Sequence, residues 1–356
     1  MGDKKLFTIV VPIYNVERYL KQCLDSLLYQ TLINHEVVMI NDGSTDDSGA
    51  IAREYAEKYP HIFRYYEQKN AGLGAARNVG FKYVTTEMVG FLDSDDWVPK
   101  TYIERLTDRV DRAGVLPDLL YTLPLVFDSA TSRFADWMDK PIYDKVFSND
   151  YDTVCPKIKP EIMALEPNAN RKLYRTEFLL RHNISFPENT KWEDVEPHFE
   201  LLHLADTCIA AKNTGFIYRV NSGSQITASV GPDRLQVVSV FARALKKANS
   251  ENWPQIEKSY ILRMMYSFAK WSISLTTNAV RKDLVIQLHE LYKSVKRKTL
   301  KRYFSDLHVR KKTKLYICIL KSNLYVLLIC PVKYNRLRSF LGKIISFRKR
   351  KMKVGL

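Results

Sequence analysis

No two cysteines in this chain stand close enough to form a C-x-x-C pair. The five present, Cys23, Cys155, Cys208, Cys318 and Cys330, are odd in number and scattered. That pattern supports neither a disulfide framework nor a zinc site, and it suits a reducing compartment. Long apolar runs are missing too. The longest clean one, inside LYICILKSNLYVLLICPV (315–332), is nine residues, against the roughly 20 that a spanning helix needs. The opening MGDKKLFTIVVPIY enters a strand pattern almost at once, so no secretory signal is expected. Acids almost vanish beyond residue 290, where Asp306 stands among 20 Lys and Arg. Residues 1–290 hold 35 Lys and Arg against 38 Asp and Glu, so the net charge of +16 divides into −3 and +19. A nucleic-acid binder would carry its positive charge on the folded body, so no nucleic-acid partner is expected. The tail instead alternates apolar segments with the basic SFLGKIISFRKRKMK. It reads as a basic amphipathic tail on an anionic membrane surface, where each cation contributes about 1 kcal/mol. The alternative for its apolar part is a buried core helix.

What is present is a core-forming composition. The chain has 356 residues, 46% hydrophobic and 12% aromatic, enough for a large α/β domain with an appendage. Strand and helix patterns alternate from the start. FTIVVP (7–12), HEVVMI (35–40), IFRYYE (62–67) and MVGFLD (88–93) read as buried strands, with helical spacing over 17–30, 46–59 and 73–84. This βαβαβαβ order predicts a Rossmann-like, mostly parallel sheet with helices on both faces. Further on, DLLYTLPLVF and a stretch near 142–148 look β-like. The segment 169–186 reads as a strand or turn entering a helix, 191–205 as a helix and 214–220 as a strand. Helical patterns follow at 233–248, 254–275 and 281–297.

Ligands bind beyond the carboxyl ends of the strands in such sheets. The unusual residues sit there: Pro12-Ile13-Tyr14-Asn15, Asn41-Asp42-Gly43-Ser44, Asn70-Ala71-Gly72 and Asp93-Ser94-Asp95. Four polar exits on one edge indicate a site. Asp93 and Asp95, two apart on an extended strand end, face one side. Two carboxylates there suit a hard divalent cation, Mg²⁺ or Mn²⁺, with ligand oxygens and water completing its shell. A cap on the helix expected from Pro99 is the plainer reading.

The set TIVVPIYNVERYLKQCLDSLLYQT, VVMINDGSTDDS, QKNAGLGAARNVG, GFLDSDDW and WEDVEPHF, in this order, resembles the inverting glycosyltransferases of family two, which have the GT-A fold and use nucleotide-sugars. Many of them build bacterial surface polysaccharides. The resemblance covers about residues 5–230. It implies a GT-A catalytic domain over 1–230, leaving a helical extension over 231–300 and the basic tail over 301–356. It implies that Pro12 and Tyr14 contact the nucleotide, that Asp42 reads the base or ribose, and that Asn15, Asn70, Gly72, Arg77, Asn78 and Ser94 line the donor site. Asp93 and Asp95 match the family's D-x-D, with Asp95 as direct metal ligand and Asp96 behind it. The family's general base falls on Asp194, with Glu193 beside it. Arg219 and Ser224 fall where relatives close a loop on the diphosphate. Trp97 and Trp192 are candidate walls for sugar rings, or simply core. The expected donor is a nucleotide-sugar, UDP first, and the acceptor a glycan or lipid-linked glycan. The expected location is the cytoplasmic face of the plasma membrane. A silent sugar- or nucleotide-binding relative and a glycoside hydrolase are the competing classes. A binder needs no base at Asp194, and a hydrolase leaves the D-x-D set without a purpose.

Overall fold

The computed structural model describes residues 5–149, 152–212, 214–221 and 229–322, together with 325 and 328. The chain forms two compact units, Met1–Ile226 and Thr227–Leu356. The first unit begins with β1 (Phe7–Ile13), α1 (Glu17–Leu28), β2 (His35–Asn41), α2 (Ser48–Lys58), β3 (Phe63–Glu67), α3 (Leu73–Phe81), β4 (Met88–Phe91) and α4 (Tyr102–Ala113). It continues through β5 (Leu119–Thr122), β6 (Leu125–Asp128), β7 (Arg133–Asp136), α5 (Lys140–Val146), β8 (Thr153–Val154), β9 (Lys172–Arg175), α6 (Thr176–Arg181), α7 (Val195–Leu204), β10 (Cys208–Ala211) and β11 (Ile217–Val220).

The main sheet has the order β3-β2-β1-β4-β9-β5-β10-β8. From β3 to β4 every pairing is parallel, and β9 then runs antiparallel to both β4 and β5. Strand β10 pairs parallel with β5 and antiparallel with the edge strand β8. All seven residues of β1 are buried, as expected for a strand covered on both faces. Helix α1 buries Leu20, Cys23, Leu24 and Leu27, the i, i+3, i+4, i+7 stripe of an amphipathic helix. Helix α3 lies close on the sheet: a Cβ added at Gly80 would stand 2.3 Å from the Val10 side chain. Register aligns Ile13 with Asn41 and Asn41 with Glu67, so β1, β2 and β3 end level. Their loops therefore leave from one rim.

Several expectations change. The stretch near 142–148 is largely helical, not β-like. Pro141 opens α5 and Tyr143 and Val146 are buried three apart, and the period of three prevails over β-propensity. DLLYTLPLVF is two strands broken at Pro124, with β5 in the main sheet and β6 in a second sheet of order β11-β6-β7. Strand β4 stops at Phe91, and residues 93–96 form a turn in which the Asp96 N–H donates to the Asp93 carbonyl at 3.0 Å. The two acids are thus brought together by a turn and not by the pleat of a strand. Helix α4 starts at Tyr102, not Pro99.

The second unit is helical: α8 (Gln236–Ser250), α9 (Gln255–Leu275), α10 (Asn278–Ser294), α11 (Arg297–Asp306) and α12 (Lys311–Lys321). Helix α12 buries Tyr316, Ile317, Ile319 and Leu320. The Lys321 ammonium donates to the carbonyls of Tyr292, Lys293 and Val295 at 2.8–3.0 Å, satisfying orphan groups at the end of α10. This part of the apolar tail is a helix with a buried face, as the core-helix alternative expects. The basic segment 329–356 lies outside the described residues. None of the described helices is long and apolar enough to cross a membrane.

Candidate active site

Three of the four strand exits are laced together by side chain to backbone hydrogen bonds. Asn15, with φ of 47°, donates its N–H to Ser44 Oγ at 3.1 Å and accepts the Thr45 N–H at 2.8 Å. Asp42 is 3% exposed. One carboxylate oxygen accepts from Ala71 N–H at 2.8 Å and Gln68 Nε2 at 2.7 Å, and the other accepts from Gly72 N–H at 2.9 Å. Asn70 returns a hydrogen bond to the Asp42 carbonyl at 3.0 Å. Asp42 thus shapes the NAGLG loop, a structural task that the sequence did not suggest. Gly43 sits at φ +71°, where an added Cβ would stand 2.9 Å from the Asn70 backbone nitrogen. A side chain there would be strained and would push the two loops apart. Pro12 is buried, while Tyr14 is 51% exposed at the rim.

The fourth exit is the acid turn. Asp95 is partly buried, and burial followed by the charge of Asp93 pushes its carboxyl up to about 6. Asp96 is buried and pushed well above the ordinary carboxylate range, by burial first and then by Asp95 and Asp93. One oxygen of Asp96 accepts the Arg219 N–H at 2.8 Å, and the other has no protein partner. Ser94 is buried between them. The Arg219 guanidinium donates to the Asp95 carbonyl at 2.8 Å and to Gln22 at 2.7 Å. It lies 4.5 Å from the ring centres of both Tyr19 and Trp97, a cation–π clamp. Arg219 therefore braces the acid turn from behind. Trp97 packs edge-on against Phe127 at 5.3 Å. Ser224 lies outside the described residues.

Crowding of Asp93, Asp95 and Asp96 in one turn is the kind of site where a hard cation would reverse the repulsion. Asp93 and Asp95 would be the residues to hold it. Among the described residues no three His, Cys, Asp or Glu converge as a cage, so oxygens of a ligand and water would complete the shell.

The acid turn is joined to a distant second acid pair by one residue. Arg77, on α3 and 2% exposed, donates to Asp93 at 2.9 Å and to Glu193 at 2.6 Å. Burial opposes its charge, but Asp93 and Glu193 outweigh that and hold the guanidinium protonated above its ordinary range. It also lies 5.3 Å from the Phe186 ring centre. The α3 start is pressed against this segment: a Cβ at Gly74 would lie 2.3 Å from the Pro187 carbonyl oxygen. Asn78 completes the seam by exchanging hydrogen bonds with the Phe186 backbone at 2.8 Å. The guanidinium of Arg77 is therefore engaged by two protein carboxylates, with its Nε left without a hydrogen-bond partner. Glu193, 5% exposed, is held by Arg77 and serves as its anchor.

Asp194 is different. It occupies the N-cap of α7, yet its side chain makes no capping hydrogen bond. Burial and then the charge of Glu193 raise its carboxyl well above the ordinary range. An N-cap Asp is expected to take a backbone N–H of the first turn. This one is left for other work. Trp192 beside it is 9% exposed and largely core.

This sheet, with an acid turn at its rim tied through Arg77 to a second acid pair, has the architecture of a transferase fold. The Glycosyl transferase family 2 profile matches residues 8–122. The glycosyltransferase GlyG of Streptococcus pneumoniae is 35% identical over 235 residues, covering 62% of this chain and 72% of that protein. The uncharacterized glycosyltransferase EpsJ of Bacillus subtilis is 44% identical over 231 residues, 62% of each. The glycosyltransferase GlyA of Streptococcus pneumoniae is 36% identical, and the chain spans 31% of its length. Among solved structures, residues 1–349 of Staphylococcus aureus TarS in complex with UDP-GlcNAc superpose with a TM-score of 0.72 at 20% identity, covering 93% of this chain and 92% of that one. The chain belongs to glycosyl transferase family 2, and its fold is GT-A.

Proposed function

We propose that the protein transfers a sugar, with inversion, from a nucleotide diphosphate donor, UDP first among them, to a hydroxyl of a glycan or lipid-linked acceptor in surface polysaccharide synthesis. One observation carries the reading. Through Arg77, the acid turn at 93–95 and the acid pair at 193–194 share one rigid site although about a hundred residues separate them. The UDP-GlcNAc bound to the TarS relative of this fold supports the donor class. The names of the family relatives support the reaction class.

A sugar hydroxyl is a poor nucleophile and needs a base within hydrogen-bond reach. Asp194, whose carboxylate makes no capping hydrogen bond to α7, is the residue placed for that task. Tyr14 presents a ring face for the nucleobase, while Asp42 and the backbone of 70–72 shape the loop beside it. A divalent cation at Asp93 and Asp95 would neutralise charge on the departing diphosphate. One base facing a leaving group on the opposite side of the ring gives a single displacement and an inverted product. With UDP-sugars, Mn²⁺ and simple alkyl glycosides as acceptors, proton NMR should show UDP release and a product of opposite anomeric configuration. A retained configuration, or no turnover with any donor, overturns the proposal.

The D-x-D reading gives a test of its own. A carboxyl whose folded-state pKa is raised disfavours the ionised native state, so stability falls as pH rises from 4 towards 7. Asp95→Asn removes that charge at every pH. It should raise the melting temperature of the ligand-free protein by several degrees, from about 2 kcal/mol of relieved charge burial. The same variant should lose the Mn²⁺-dependent stabilisation by UDP. A lower melting temperature, or an intact UDP response, would contradict this role.

The 20 cations against one acid beyond residue 290 support a place on an anionic membrane surface, with the site on its cytoplasmic side. The protein should sediment with phosphatidylglycerol vesicles at low salt and stay in solution with phosphatidylcholine ones. Equal behaviour with both lipids refutes the membrane assignment.

A further inference from the structure

The segment RKLYR contributes two consecutive buried cations that the proposed reaction leaves unused. Arg171 is 0% exposed and Lys172 is 2% exposed. Arg171 has its counter-ion, an Asp139 oxygen at 2.5 Å, and Asp139 also accepts the Glu166 backbone N–H at 2.6 Å. Lys172 makes no direct ion pair among the described residues. Its ammonium stands 3.4 Å from Nδ1 of His198 and 5.7 Å from the ring centre of Tyr121. His198 lies four residues beyond Asp194 on α7, and its N–H donates to the Asp194 carbonyl at 3.1 Å. The other ring nitrogen, Nε2, is 3.4 Å from the Met163 carbonyl. A backbone carbonyl only accepts, which places the ring proton on Nε2 and leaves Nδ1 as acceptor for the lysine. Burial and then Lys172 keep this imidazole neutral. Asp194 is the first of the carboxylates whose charge acts on Lys172.

We propose that Lys172, seated by His198, is the positioning residue that keeps Asp194 ionised and ready to accept the acceptor's proton. The inference rests on Asp194 being the base. The charges around the pair divide clearly. Glu193 and Glu166 oppose ionisation of Asp194, Arg77 and Lys172 favour it, and Asp194 also acts on the Tyr174 hydroxyl. Arg77 is tied to Asp93 and Glu193, and Arg171 to Asp139, which leaves Lys172, held by His198 and lying near the Tyr121 ring, as the buried cation of this cluster without a carboxylate partner among the described residues. Asp139 and Glu166 favour its charge, Arg171 opposes it, and Cys208 lies within its field. Burial, its largest influence, brings the lysine down to about 7. The two groups therefore titrate as a pair.

The test is a direct titration that needs neither donor nor acceptor. Protein carrying carboxyl-¹³C aspartate is titrated by NMR, with Asp194→Asn identifying the resonance. In Lys172→Met the Asp194 midpoint should rise by about one pH unit or more, the effect of removing a close opposite charge. Lys172→Arg should hold it near the wild-type position, and His198→Phe, which leaves the lysine in place, should move it upward by less. The other aspartate resonances and the thermal unfolding midpoint report whether each variant is folded. An unmoved midpoint in folded Lys172→Met overturns the proposal. If that variant does not fold, an unmoved midpoint in His198→Phe does the same. Full transfer activity in Asp194→Asn would instead remove the base assignment, while the titration still decides what Lys172 does to Asp194.

Discussion

Asp194→Asn should reduce sugar transfer by 10²- to 10⁴-fold, the usual contribution of a positioned general base. The amide keeps the shape of the carboxylate but cannot take the acceptor's proton. The Asp194 side chain makes no capping hydrogen bond to α7, so the loss should come without unfolding. Its carboxyl is held well above the ordinary range by burial and Glu193, so the change should even leave the protein slightly more stable. Donor binding should persist, because the exits of β1, β2 and β3 do not depend on Asp194. The expected pattern is a collapsed kcat with an unchanged donor Kd. A variant with normal kcat, or one that loses donor affinity in step with activity, would move the base elsewhere.

Arg77→Ala should have the largest effect on stability. The guanidinium is shared by Asp93 and Glu193 at 2.9 and 2.6 Å in a buried setting. Removing one partner of a buried ion pair costs about 3–5 kcal/mol, because the remaining charge is stranded. For a unit of this size that lowers the melting temperature by roughly 10 °C. It should also uncouple the acid turn from α7, so activity falls beyond what unfolding explains. Arg77→Met combined with Glu193→Leu removes the cation and one stranded carboxylate together. That pair should recover much of the stability and little of the activity. If the single variant melts like wild type, Arg77 is not the strut between the two acid sites.

Much of this arrangement was legible in the chain itself. The βαβαβαβ alternation is encoded in local apolar periodicity, and the polar exits follow from where each strand pattern stops. Asp93, Asp95 and Asp194 stood out by their spacing and by family resemblance. The pairings did not. Arg77 and Glu193 are separated by 116 positions, and nothing local shows which carboxylate an arginine meets. Arg77 and Asp42 read as ligand contacts, and their protein partners, which the structure adds, were not legible. The bracing role of Arg219 depends on a three-way meeting of α1, the acid turn and β11. A lysine inside KLYR reads as surface, and only the sheet order β4-β9-β5 buries Lys172. Strand β10 was missed because CIAA is short and its two alanines carry little β signal. Helix α11 is hidden in the sequence because dense Lys and Arg mask a narrow apolar stripe, whereas α12 falls largely within the segment whose alternative reading is a core helix.

The central claim is that the strand-exit rim binds a nucleotide diphosphate through a cation at the acid turn. Titration calorimetry of UDP into the protein, with and without Mn²⁺, tests it most directly. Saturable one-to-one binding that requires Mn²⁺ and is lost in Asp95→Ala is the predicted result. Absence of UDP binding, or binding indifferent to both Mn²⁺ and Asp95, would contradict it.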